Sequence, residues 1–215
     1  MGKHGISARN KSLLEEAYEA EQSRLLALAE RDVPQGEYRF PVFGEGTGSV
    51  GALLIGEAPG AEETKLGRPF VGKAGKQLDE LIRLFGVARN DIYITNSVKY
   101  RPVIRSARTV RNRTPLPAEI SLSLPLLARE IELLSPLVIL TLGNTPLKAV
   151  YRLAGQKAPV IGLVHGTERA IVINGVSVIL IPLYHPASGI YNRELVPVME
   201  QDARFAGEVI RKYGG

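Results

Sequence analysis

The 215-residue chain contains no cysteine. That absence excludes disulfides, thiolate catalysis, cysteine-ligated zinc and cysteine-held iron–sulfur clusters together. Histidine is scarce as well: His4, His165 and His185 show no ligand-like spacing, which argues against a metal site. No apolar run reaches the roughly 18 residues that span a bilayer, and the first ~25 residues carry no signal-peptide pattern. These absences predict a cytoplasmic, monomeric protein with no cofactor and no membrane partner. At 45% hydrophobic and 23% charged residues, the chain has enough apolar material for a real core. Residues 46–215 are expected to form one domain, with residues 1–45 a helix and connection packed on its core.

Basic residues outnumber acidic ones by 27 to 22, a net charge of +5. As a total this is compatible with an anionic partner or with an ordinary basic enzyme. Its placement is more informative. Lys99, Arg101, Arg105, Arg108, Arg111 and Arg113 follow one another without an acidic residue between them. With Pro102 and no helical periodicity, that stretch reads as a solvated loop able to touch phosphate.

Apolar patterning organises the rest. Ser12 and Glu15 form a capping box ahead of a helix carrying Leu14, Tyr18, Leu25 and Leu28. Residues 50–55 and 137–142 are nearly all apolar, as strands buried on both faces are, and 91–95 is a third short strand. Residues 72–85 have helical spacing and stop at Gly86. A helical stretch opening at Pro117 is expected to be interrupted at Pro125, and further helices are expected over 146–153 and 194–213. Asn174-Gly175 between residues 170–173 and 176–181 is a hairpin signal. Strands alternating with helices predict an α/β fold with a central, largely parallel sheet. Its chemistry then belongs in the loops at the carboxyl ends of the strands.

Two glycine motifs there are misleading. Gly46-x-Gly48-x-x-Gly51 matches a dinucleotide fingerprint but precedes a strand, where the fingerprint needs a helix. Gly67-Arg-Pro-Phe-Val-Gly72-Lys73-Ala74 misses the phosphate-binding loop, because Ala74 replaces the magnesium-holding hydroxyl. A helix start with free amides and Lys73 still suits one backbone phosphate, or is simply a turn. His185 sits at a strand end, stiffened by Pro186, while His165 has no evident partner. Glu57, Glu62 and Glu63 crowd one loop, where carboxylates either activate water or cap a helix. Asn96 follows a strand, where its amide either reads a base edge or holds a turn.

Taken together, Gly56-Glu-Ala-Pro-Gly60, Glu63, Gly67-Arg-Pro-Phe-Val-Gly-Lys-Ala-Gly75, Tyr93-Ile-Thr-Asn96-Ser-Val-Lys99 and His185-Pro-Ala-Ser188 resemble the uracil-DNA glycosylase superfamily, most closely its family 4 type. The resemblance implies a three-layer α/β sandwich around a four-stranded, mainly parallel sheet. It also implies removal of uracil from single- or double-stranded DNA by hydrolysis of the N-glycosidic bond, leaving an abasic site. On that likeness Phe70 stacks on the flipped base, Asn96 reads its edge and the backbone at Ala58 holds the other side. His185 steadies the departing base, and Glu57, with Glu63 second, positions water or offsets the sugar cation. Gly72, Lys73 and Gly75, with Ser188 and Arg193, would clamp phosphates, and Ile190 or Tyr191 would wedge into the vacated stack. Lys99, Arg105, Arg108 and Arg111 complete the expected DNA contacts. The family 4 pattern includes four cysteines around an iron–sulfur cluster. Here Tyr100 stands at the Val-Lys-Cys position and Ser121 to Ser123 in the region of another, so the cluster cannot form. Excision of hypoxanthine or xanthine, or DNA binding without catalysis, are the alternative readings.

Overall fold

The computed structural model describes residues 5–30 and 36–214. His4 and residues 31–35 of the expected connection lie outside the described residues. In chain order the elements are α1 (Ala8–Glu30), β1 (Gly36–Glu37), β2 (Ala52–Gly56), α2 (Ala61–Leu66), α3 (Lys73–Phe85), β3 (Tyr93–Asn96), β4 (Arg101–Arg105) and β5 (Val110–Asn112). They continue with α4 (Pro117–Leu134), β6 (Val138–Leu142), α5 (Asn144–Leu153), β7 (Arg169–Ile173), β8 (Val176–Leu183), α6 (Ser188–Tyr191) and α7 (Leu195–Gly214).

The main sheet has the order β3-β2-β6-β8-β7. Its first four strands run parallel and β7 is antiparallel to β8. The fold is therefore mixed α/β, and the expected four strands become five. The cause is local: Asn174 and Gly175, at φ 50° and 81°, turn β7 tightly onto β8. Alternate residues of the central strands feed separate cores. Leu54, Leu140 and Ile181 pack with Phe85 of α3 and Ala206 of α7. Leu53, Ile139 and Leu180 pack with Leu127 of α4 and Leu147 of α5, where Leu14 of α1 also lies. This two-sided burial explains why β2 is apolar throughout and β6 is so but for Thr141.

Three local expectations need correction. First, α1 begins at Ala8, a turn before the capping box, because Ser7 Oγ accepts the Asn10 amide hydrogen bond at 3.1 Å and caps the helix there. Second, α4 passes through Pro125 without a break. Pro125 is exposed, and the neighbouring Leu126 and Leu127 anchor the helix in the core, so the one lost backbone bond is tolerated. Third, residues 101–112 are not a loop but the hairpin β4–β5, with β1 on its other edge. Arg101 Nε donates to Asn112 Oδ1 at 2.6 Å and its Nη1 to Glu37 Oε2 at 3.1 Å, so a charge sits at a buried position of β4, and exposed β5 adds no apolar alternation. Among the described residues, no helix is long and apolar enough to cross a membrane.

Candidate active site

Parallel strands bring their carboxyl ends to one side of the sheet. Gly56 and Asn96 are register partners at the ends of β2 and β3, and His185 lies two residues beyond β8. Asn96 and His185, together with Glu57, Ala58, Phe70 and Tyr191, line a cleft of about 620 Å³. Gly56 is required by this approach. A β-carbon there would stand 2.4 Å from both Phe70 Cζ and Asn96 Oδ1.

Phe70 is buried and held at φ 53°, a left-handed conformation unfavourable for a bulky side chain. The loop around it is fixed from two sides. Glu63 Oε1 accepts the Val71 and Gly72 amides at 3.0 and 2.7 Å, and its Oε2 accepts the Gly60 amide at 3.1 Å. Arg89 Nη2 donates to the Pro69 carbonyl at 2.9 Å. Both carboxylate oxygens of Glu63 are thus committed to backbone, which makes it the brace of the Phe70 loop rather than a handler of water. Gly75 is buried because its Cα side faces the Phe70 carbonyl, where a β-carbon would stand 2.0 Å from the oxygen. Its Cα side is therefore spent on packing, and only its backbone amide, in the first turn of α3, belongs to the expected phosphate set. The Gly72 amide is likewise spent on Glu63, leaving exposed Lys73 and the amides beyond it at the start of α3.

His185 is half-buried, its ring centroid 6.4 Å from that of Phe70. Burial lowers its pKa, so the imidazole is neutral at neutral pH. Its Nδ1 faces the Ala187 amide at 3.2 Å and accepts that hydrogen bond, which leaves the ring proton on Nε2. Glu57 accepts from Thr145 Oγ1 at 2.6 Å, and burial raises its pKa despite that bond. Thr145, in the first turn of α5, went unnoticed in the sequence, although Gly143 closing the β6 strand marked the place. His165, without an evident partner in the sequence, pairs through Nδ1 with Asp202 Oδ2 at 2.7 Å and packs on Tyr184, outside this cleft.

Asn96 is only 2% exposed, and its Oδ1 is buried with no hydrogen-bond partner among the described residues. Buried acceptors are rarely left unpaired, and this one belongs to a residue that lines the cleft. The strand behind it is fixed by Lys99, which is 0% exposed. Lys99 Nζ donates to Thr95 Oγ1 and the Asn96 carbonyl, both at 2.6 Å, and to Glu130 Oε2 at 2.5 Å. Lys99 therefore cannot contact DNA as expected: a partner 31 residues away in α4 keeps it inside the fold.

The family model described as the uracil DNA glycosylase superfamily matches residues 43–206. The chain belongs to that superfamily. It is 43% identical over 156 residues to a type-4 uracil-DNA glycosylase of Pyrobaculum aerophilum, covering 72% of this chain and 76% of the relative. The type-4 enzyme of Saccharolobus solfataricus is 39% identical over 170 residues, covering 79% and 76% of the two chains. That of Thermotoga maritima is 39% identical over 175 residues, covering 80% and 84%.

Within this superfamily member, the iron–sulfur cluster of the family 4 pattern does not fit. Tyr100, at one ligand position, is fully buried with its ring 4.4 Å from that of Tyr38, and Leu25 and Val98 close the same cluster. Ser123 is buried in α4. Side chains fill the space, and the hairpin is tied down by Arg113, which donates to both carboxylate oxygens of Glu119 at 2.5 and 2.8 Å. Of the other expected DNA contacts, Arg105, Arg108, Arg111 and Arg193 are exposed, Ser188 is half-buried, and Tyr191 on α6 is 89% exposed and lines the cleft.

Proposed function

We infer that this protein removes uracil from DNA by hydrolysing its N-glycosidic bond, leaving an abasic site. The observation that carries the reading is the unpartnered Asn96 Oδ1 in a cleft shared with Phe70 and His185. The uracil nucleotide leaves the helical stack, at a cost of a few kcal/mol, and its base stacks on Phe70. Asn96 Oδ1 accepts uracil N3–H while its amide nitrogen donates to O4. Cytosine offers an acceptor at N3 and a donor at its exocyclic amine, so both contacts fail and leave buried groups unpaired. The backbone at Ala58 holds the remaining edge.

As the bond from C1′ to the base breaks, its electron pair goes to the base, and the sugar acquires oxocarbenium character. The Nε2–H of neutral His185 donates to O2 of the developing anion, a preorganised contact that does not rely on a cationic ring. Glu57, oriented by Thr145, offsets the sugar's charge and orients the water whose oxygen bonds to C1′, the proton that this water loses ending on the uracil anion to give the neutral base. Ile190 or Tyr191 fills the gap left in the stack.

Oligonucleotides carrying uracil, hypoxanthine or xanthine, treated with protein and then alkali, test the reading. Strand breaks are expected at uracil. Binding without breaks would leave a DNA-binding protein, and breaks only at a purine would change the substrate. The relatives' names do not favour either alternative.

Lys73, Ser188, Arg193 and the hairpin arginines carry the phosphate contacts in this account. Reversing Arg105, Arg108 and Arg111 to glutamate is expected to weaken DNA binding and to flatten its dependence on salt. Each lost phosphate contact removes about 0.7–0.9 from the log–log slope. An unchanged slope in a fluorescence-anisotropy titration would rule the hairpin out as a DNA contact.

A further inference from the structure

A second concavity, of about 510 Å³, lies between β1 and α2 and is not used by the chemistry above. Phe40, Arg39, Lys65, Arg105 and Glu37 line it, together with Ala61. Phe40 is 61% exposed, far more than a large aromatic ring in a packed core. Arg39 and Lys65 are exposed and make no ion pair among the described residues. Glu37 is engaged by Arg101 at 3.1 Å and Arg105 at 3.8 Å, so its charge is already offset. What remains is an exposed ring among surplus cations. Such a surface matches single-stranded nucleic acid, whose bases stack on aromatic faces while basic side chains follow the phosphates. Ala61 lines both this groove and the base-binding cleft, so the two adjoin at the first turn of α2.

We propose that this groove holds the nucleotides flanking the flipped uracil on the same strand, in unpaired form, with Phe40 stacking on one base and Arg39 and Lys65 on its phosphates. The chain would then engage a single strand over a longer stretch than its active site alone spans. The proposal rests on the glycosylase reading for its substrate, but not for its geometry, since binding can be measured without turnover.

The test compares wild type with Phe40→Ala, Phe40→Trp and Lys65→Glu on two uracil-containing single strands, a trinucleotide and an oligonucleotide of about 15 nucleotides. Phe40→Ala is expected to raise KM on the longer strand about tenfold with little change in kcat, matching the loss of one stacked base. The trinucleotide, too short to fill the groove, should be processed as by wild type. Phe40→Trp should restore the longer strand's KM, and Lys65→Glu should make its binding less salt-dependent. Equal KM values for Phe40→Ala and wild type on the longer strand would overturn the proposal. So would an equal loss on the trinucleotide, which would mean damage to the pocket. Should wild type cleave neither substrate, the glycosylase reading fails. Anisotropy titration of the longer strand with Phe40→Ala then decides the groove by itself, weaker binding supporting it and unchanged binding refuting it.

Discussion

Replacing His185 with glutamine is expected to slow uracil release about 10²- to 10³-fold in single turnover, with substrate affinity nearly unchanged. That is the size of effect seen when one preorganised donor to a developing oxyanion is removed. The contact matters little to the bound, uncharged base and much to the departing anion, so the loss falls on the rate rather than on binding. The ring's surroundings fix its working form. Burial lowers its pKa, and the Ala187 amide occupies Nδ1, so the neutral Nε2–H tautomer persists through neutral pH. The rate should therefore show no inflection near the ordinary histidine value of about 6.5. Glu57 is shifted the other way, its pKa raised by burial. Its carboxylate is lost as pH falls through that raised value, which gives the profile an acid limb. Glu57→Gln should be slow at every pH and lack that limb. A loss centred near 6.5 that persists in Glu57→Gln, where the carboxyl no longer titrates, would contradict the assignment of His185 as a neutral donor.

Lys99→Met is expected to destabilise the protein by about 3–5 kcal/mol, measured by denaturant unfolding, because it leaves the Glu130 carboxylate buried without its cation. The double variant Lys99→Met/Glu130→Leu should recover most of that loss, since replacing both charges by apolar groups removes the uncompensated ion. Recovery of stability need not recover activity. Lys99 also donates to the Asn96 carbonyl, and Thr95 bridges the same network through its 2.9 Å hydrogen bond to Glu130. The double variant is therefore expected to fold while excising uracil more slowly than wild type. A double variant no more stable than Lys99→Met would show that the pair contributes packing rather than charge compensation.

Much of the fold could be read from the chain because the relevant signals are local. Two-sided burial makes β2 and β6 almost entirely apolar, and Asn174-Gly175 announces its turn through backbone conformations few other pairs adopt. The β4–β5 hairpin is hidden in the sequence because a charged residue, Arg101, occupies a buried position of β4, where Asn112 and Glu37 satisfy it, and because β5 is exposed along its whole length. Lys99 was misread for a related reason. Its membership in a basic run is visible in sequence, whereas the buried Glu130 that neutralises it is supplied by another helix. The residues Glu57, Phe70, Asn96 and His185 were identifiable as a set, and the structure brings them around one cleft. What only the fold reveals is how they are held: Thr145 on Glu57, Ala187 on His185, and Glu63 bracing the Phe70 loop from three amides.

The account turns on Asn96 Oδ1 as the acceptor for uracil N3–H. It is tested most directly by quantifying free base released from two oligonucleotides identical except that one carries uracil and the other N3-methyluracil. Release of free uracil from the first, with release from the second slower by about 10³-fold or more, is the predicted result. Comparable release of both bases would contradict it.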